Sequence, residues 1–172
     1  MLERICIALE ATVLGLWAGS MAGFAFIFAP LAIKAVPRMD VFAALVAAVI
    51  RAVGSFGAVC GALAIVAALV RSTAPQARRL AAVRIGFVTV ALVASAYESR
   101  SIVPQMEATA AQIPGPIDSV SRDDPRRVAY DGEHTASTRV YGTAFLCVAA
   151  ALGLAAFGRK RNSEIGAPDG AG

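Results

Sequence analysis

Charge is scarce in this chain. Asp, Glu, Lys and Arg make up 16% of its 172 residues, against about a quarter in soluble proteins. Hydrophobic residues reach 58% and the mean hydropathy is +0.66. A soluble domain of this length has too little interior to hide so much apolar surface, so a water-soluble globule is excluded. Any long basic run is also missing. The net charge of +4 comes from scattered arginines, which excludes a nucleic-acid footprint and suits cations flanking membrane spans. Cys6, Cys60 and Cys147 form an odd set with no C-x-x-C pair, so neither a disulfide framework nor a zinc site is expected. They read as small buried hydrophobes. Histidine occurs once, at His134, which excludes a bis-histidine haem. A His-Met site with Met106 or Met39, or copper held by His134 and methionines, has no methionine cluster behind it. Phosphate loops, dinucleotide fingerprints and zincin motifs are missing. Ser137 carries none of the signs of an activated nucleophile. No enzyme activity, cofactor or metal is therefore expected.

What the chain does have is four apolar stretches. The first is expected to form a helix from about Ile5 to Phe28, kinked or ended by Pro30. Its apolar run continues to Ile33 with no A-x-A site behind it, so it is expected to stay as an anchor and not to be cleaved. Gly15, Gly19 and Gly23 recur every four residues, with Ala11 one turn earlier. On a helix these share one stripe, and small-xxx-small rows let helices approach closely in lipid. The stripe is expected to be the packing centre of the bundle. Trp17, near mid-span, reads as a packing residue. The second stretch, 41–70, is divided by Arg51 and reads as a helix that starts at the surface and submerges after that residue. Gly54, Gly57 and Gly61 give it small packing positions.

The third helix is expected from about Leu80 to Val103, with Arg84 near one end and Glu98 and Arg100 near the other. A long polar loop from Pro104 to about Thr138 follows, in which only Glu107–Gln112 is expected to be helical. The fourth helix is expected from near Ser137 to Gly158, stopped by Arg159-Lys160-Arg161. The predicted fold class is an all-α integral membrane four-helix bundle with a long polar loop between helices 3 and 4. It spans residues 1–161 and precedes a disordered tail, 162–172.

Four spans put both termini on one side. The basic residues divide evenly between the two sides, but those on the terminal side cluster directly at helix ends, as at Arg78-Arg79 and Arg159-Lys160-Arg161. The positive-inside rule then places both termini in the cytoplasm, with the protein in a bacterial inner membrane. Glu10 and Arg84 enter from that side to similar depth. An unpaired charge in hydrocarbon is costly, so the two are expected to form a buried ion pair. Glu10 lies roughly opposite the glycine stripe.

The remaining polar residues gather at the other end. His134, Ser137 and Tyr141 are spaced three and four apart, so on a helix they share one face. Glu98 and Arg100 of helix 3 and Arg51 of helix 2 reach the same level. A polar cluster is expected there, with His134 hydrogen-bonded to a carboxylate or a backbone carbonyl. It serves either as a clasp on the helix ends or as a working site.

Two stretches carry a family resemblance. One is LWAGSMAGFAFIFAPLAIKAVP, Leu16 to Pro37. The other joins IVPQM, Ile102 to Met106, with YDGEHTAS, Tyr130 to Ser137. Together they resemble the transmembrane protein 205-like family, also called domain of unknown function 4149. Its members are small four-helix membrane proteins with a glycine-rich first helix ending in Ala-Pro, a Pro-x-Met after helix 3, and an aromatic-x-x-x-His-x-x-Ser approach to helix 4. Gln105 departs from the basic residue common there, and Tyr130 from the usual Phe. The resemblance implies the fold and no established reaction.

Two functions fit these observations. The first is a non-enzymatic helix bundle or accessory membrane subunit, in a lipid bilayer and in contact with a second copy or a membrane protein partner. The second is a small-solute, proton or metal-handling protein that uses the cluster around His134. A permease places polar groups near mid-membrane, and mid-span here is almost wholly Ala, Val, Leu and Gly, which favours the first.

Overall fold

Four helices make up the bundle. The computed structural model describes the backbone of residues 1–71 and 75–165, and the side chains of those residues outside 75–77 and 157–165. Helix α1 is Leu2–Ala35, α2 is Met39–Val70, α3 covers 75–111 and α4 is Pro125–Ile165. Each includes a stretch long and apolar enough to span a membrane, the mark of an integral membrane protein. Among the described residues there is no strand. Residues 166–172, most of the expected tail, lie outside the described residues.

Helices α1 and α3 stand diagonally opposite, each packed against both α2 and α4. The bundle therefore has a terminal end, with both chain termini, and a loop end, with the connection after α3. Large apolar side chains such as Leu16, Phe26, Val59, Val66 and Leu146 point outward. In lipid this exposure carries no penalty, because the solvent is itself apolar.

The core is built around Trp17, which is fully buried with Leu14, Met21, Val88, Ala91 and Val148. On α1 the buried positions are Cys6, Glu10, Val13, Leu14, Trp17 and Met21, one face at helical spacing. That face is opposite the glycine stripe. A Cβ added to Gly15, Gly19 or Gly23 meets nothing within 4 Å, so the expected packing role of these three glycines within the bundle is incorrect. The close approach is made by α2 instead. A Cβ on Gly57 falls 2.3 Å from Trp17 Nε1, and one on Gly61 falls 2.8 Å from the Leu92 side chain. Large residues of α1 and α3 fill notches left by small residues of α2.

Neither proline ends its helix. Pro30 and Pro104 each follow a widened π turn, Gly23–Phe28 and Glu98–Ile102. Within these turns Ala29 donates to the Phe24 carbonyl and Val103 to the Glu98 carbonyl, one residue further back than in an α-helix. A proline ring clashes with the carbonyl four residues before it and cannot serve it. The extra residue in the turn displaces that carbonyl, and the helix continues beyond as 29–35 and 103–111. In a membrane the freed groups must find partners within the protein, so continuing the helix is the favourable solution.

The long polar loop is also shorter than expected. Helix α3 runs to Ala111 and α4 begins at Pro125, leaving 112–124 with one 3₁₀ turn, Ile117–Ser119. Gly115 has φ +92°, a conformation glycine alone adopts freely, and it lets the Pro-Gly-Pro segment reverse. Asp124 caps α4: its Oδ1 accepts from the Arg126 amide at 2.9 Å and its carbonyl from the Val128 amide at 3.0 Å. Pro125 takes the first helical position, where its missing N–H costs nothing. Arg126 and Arg127 reach back to the carbonyls of Gln112 and Ile117 at 3.0 and 2.6 Å, tying the connection to the helix.

Candidate functional site

At the loop end the bundle does not close. Around the first turns of α4 the four helices separate and enclose a cavity of about 620 Å³, within the size range of small-molecule sites. The two π turns lie beside it, so the proline-induced widening of α1 and α3 helps to open it. Its lining is chiefly apolar and aromatic.

Glu98 is the polar feature of this lining. It is the first residue of the α3 π turn and is only 2% exposed. Ser137 of α4, also buried, donates its hydroxyl to Glu98 Oε1 at 2.7 Å. No cation pairs with Glu98 among the described residues. One turn along α4, Tyr141 donates its hydroxyl to the Met21 carbonyl at 3.1 Å, and its ring lies 5.4 Å from that of Phe24. Met21 lies two residues before the α1 π turn, so Tyr141 ties α4 to the last regular turn of α1 beside the widened segment.

At the rim, Arg51 of α2 pairs with Glu107 of α3. Thr109 donates to Glu133 Oε1 at 3.0 Å, joining α3 to α4. Asp40 pairs with Arg38 at 2.5 Å.

The six residues expected to form one cluster are thus divided. Glu98, Ser137 and Tyr141 line the cavity together. Arg51 is drawn away to Glu107, a partner not anticipated. Arg100 is exposed and forms no ion pair among the described residues. The expected hydrogen bond from His134 to a carboxylate or carbonyl is absent. His134 reaches the cavity rim but is exposed, and its ring has no hydrogen-bond partner among the described residues. On an exposed face of α4, water solvates an imidazole, so nothing forces it inward. Glu98 carries the site instead. The sequence signal for it was its place six residues before Pro104, where a π turn rotates it into the bundle.

At the terminal end, Arg84 Nε lies 2.8 Å from Glu10 Oε1, the pair expected from their matched depth. Arg71, at the end of α2, adds a second contact, Nη1 to Glu10 Oε2 at 2.5 Å, which the sequence reading missed. Glu10 is 1% exposed and Arg84 4%. The pair crosses the diagonal between α1 and α3.

A family model described as a domain of unknown function (DUF4149) matches residues 12–114, more than half of the chain. The chain belongs to the DUF4149 family. The DUF4149 match contains the buried face of α1 from Val13 on, both π turns, both prolines and Glu98. It ends before Tyr130–Ser137, so the His-x-x-Ser stretch lies beyond it. No curated protein and no solved structure matches the chain.

Proposed function

We propose that this chain is a non-enzymatic membrane protein that holds an apolar small molecule at the loop end of its bundle. One observation carries this reading. Mid-bundle, side chains pack closely around Trp17, whereas the loop half holds a partly open cavity of about 620 Å³ lined mainly by apolar and aromatic groups. The apolar lining of this partly open cavity has no protein partner on its inner side, and an apolar occupant covers that surface. The reading of a site centred on His134 loses ground because that ring has no partner among the described residues. The basic clusters at the terminal end support an orientation with both termini cytoplasmic. The Tyr130–Ser137 stretch supports a likeness to transmembrane protein 205-like proteins.

Gly142 offers a direct test. It lines the cavity, and a Cβ there meets nothing within 4 Å, so Gly142→Trp places an indole in the void with little disturbance of the helix. In lipid nanodiscs the wild type should bind the neutral fluorophore N-phenyl-1-naphthylamine saturably, above the partition into empty discs. Gly142→Trp should weaken that binding by about tenfold or more, the order of one buried apolar side chain's contacts. Non-saturable uptake equal to empty discs would contradict the reading.

A further inference from the structure

The cavity's charge is one-sided. Its lining includes three carboxylates, Asp40, Glu98 and Glu107, and no lysine or arginine. Two of these are matched at the exposed rim, Asp40 by Arg38 and Glu107 by Arg51. Glu98 is buried and has no cation among the described residues. Ser137 satisfies one of its oxygens at 2.7 Å, and among the described residues the other accepts no hydrogen bond. A buried carboxylate with one neutral donor is poorly compensated for the water it has lost.

Aromatic rings supply the rest of the chemistry. Phe24, Phe42, Tyr130, Tyr141 and Phe145 all border the cavity. Ring faces attract cations, most strongly where water is excluded, and aromatic cages are a recurrent way of holding quaternary ammonium groups. An anionic amphiphile finds the opposite: no lysine or arginine among the described lining residues, and a carboxylate that repels it.

We propose that the cavity selects lipophilic organic cations, amines or onium ions bearing apolar groups, with Glu98 as their counter-charge. The inference rests on the cavity being a ligand site and adds the sign of the ligand's charge. Ser137 fixes the Glu98 carboxyl in one rotamer, so the group is held beside the rings before the ligand arrives, and a bound cation favours its ionised form.

Tetraphenylphosphonium and tetraphenylborate test this directly, because they share shape and size and differ in sign. Each is dialysed to equilibrium against the full-length protein in nanodiscs, with empty discs as the blank. Saturable binding of the phosphonium is expected, with the borate at least about tenfold weaker, the scale of one charge-assisted contact. Glu98→Gln should weaken the phosphonium by a similar factor, and by clearly more than it weakens N-phenyl-1-naphthylamine, since the volume is unchanged. Glu98→Asp should keep part of the preference. Equal binding of the two ions by the wild type overturns the proposal without needing any variant, and leaves the apolar-ligand reading standing. Failure of both ions with retained binding of the neutral fluorophore does the same. If the neutral fluorophore also fails, the cavity is not a ligand site and both readings fall.

Discussion

Glu10 holds two arginines from inside the bundle, Arg84 at 2.8 Å and Arg71 at 2.5 Å. Removing one partner of a buried pair leaves the other charge uncompensated, a loss of about 3–5 kcal/mol. Glu10→Gln strands two cations, and Arg84→Gln leaves Glu10 still paired with Arg71. Glu10→Gln should therefore be the more destabilising in thermal melts of the detergent-solubilised protein, and the double substitution should be clearly less than additive. Equal effects that simply add would argue against the contact. Ser137→Ala leaves Glu98 without its donor and should lower stability by about 1–3 kcal/mol. Asp124 behaves differently, because it lies in the connection before α4. The Arg126 guanidinium and amide hold its carboxyl well below the usual range, at about 2. A lowered folded-state value means that its contribution is complete above the ordinary aspartate value and is lost as pH falls toward about 2. Protection factors for amide exchange at 126–128, corrected for the intrinsic pH dependence, should therefore be unchanged between neutral pH and pH 5, and should fall in Asp124→Ala. The depth of Glu10 and Arg84 could be read from the sequence because each is a lone charge in an apolar run. Arg71 could not, since at the end of α2 it looks like any cation flanking a span. His134 attracted attention by being single, yet rarity exerts no force on a side chain that water can reach.

At the scale of the helix, periodicity located all four spans but not their partners. The glycine row of α1 was plain in the sequence. Which helix supplies the bulky residue and which the notch depends on relative rotation, and here Trp17 of α1 enters at Gly57 of α2. Gly57→Ala forces a methyl against a fully buried indole and should cost about 1–3 kcal/mol. Gly19→Ala meets open space and should leave the melting temperature unchanged or raise it slightly, because alanine favours the helix by up to about 1 kcal/mol. Matched melts of the two variants decide the point, and a larger loss in Gly19→Ala would reverse the assignment. Pro30 and Pro104 suggested helix ends for a reason that holds in water. In lipid the backbone must stay paired, and a π turn lets the helix pass the proline. The start of α4 was legible in principle: Asp124-Pro125 is a capping residue followed by the proline that favours a first helical turn. The surrounding charges and the Pro-Gly-Pro segment obscured it.

Across the whole molecule, one end is packed and the other is hollow. Hydropathy conveys the bundle, but not where its packing stops, because a cavity arises from the separation of helices and not from any residue type. The proposed orientation puts the 112–124 connection outside the cell. In a variant whose three native cysteines are replaced, a cysteine at Ser119 should react with an impermeant maleimide in intact cells, and one at Gln76 should not. The reverse pattern would invert the topology while leaving the cavity in place. The hollow end itself is tested most directly by photolabelling. A neutral, apolar diazirine probe is irradiated with the protein in nanodiscs, and the modified residues are mapped by mass spectrometry. Saturable labelling of cavity residues such as Met106 and Tyr130, competed by N-phenyl-1-naphthylamine and lost in Gly142→Trp, is the predicted result. Labelling confined to outward-facing residues such as Leu63, Val66 and Leu146, and identical in the two proteins, would contradict it.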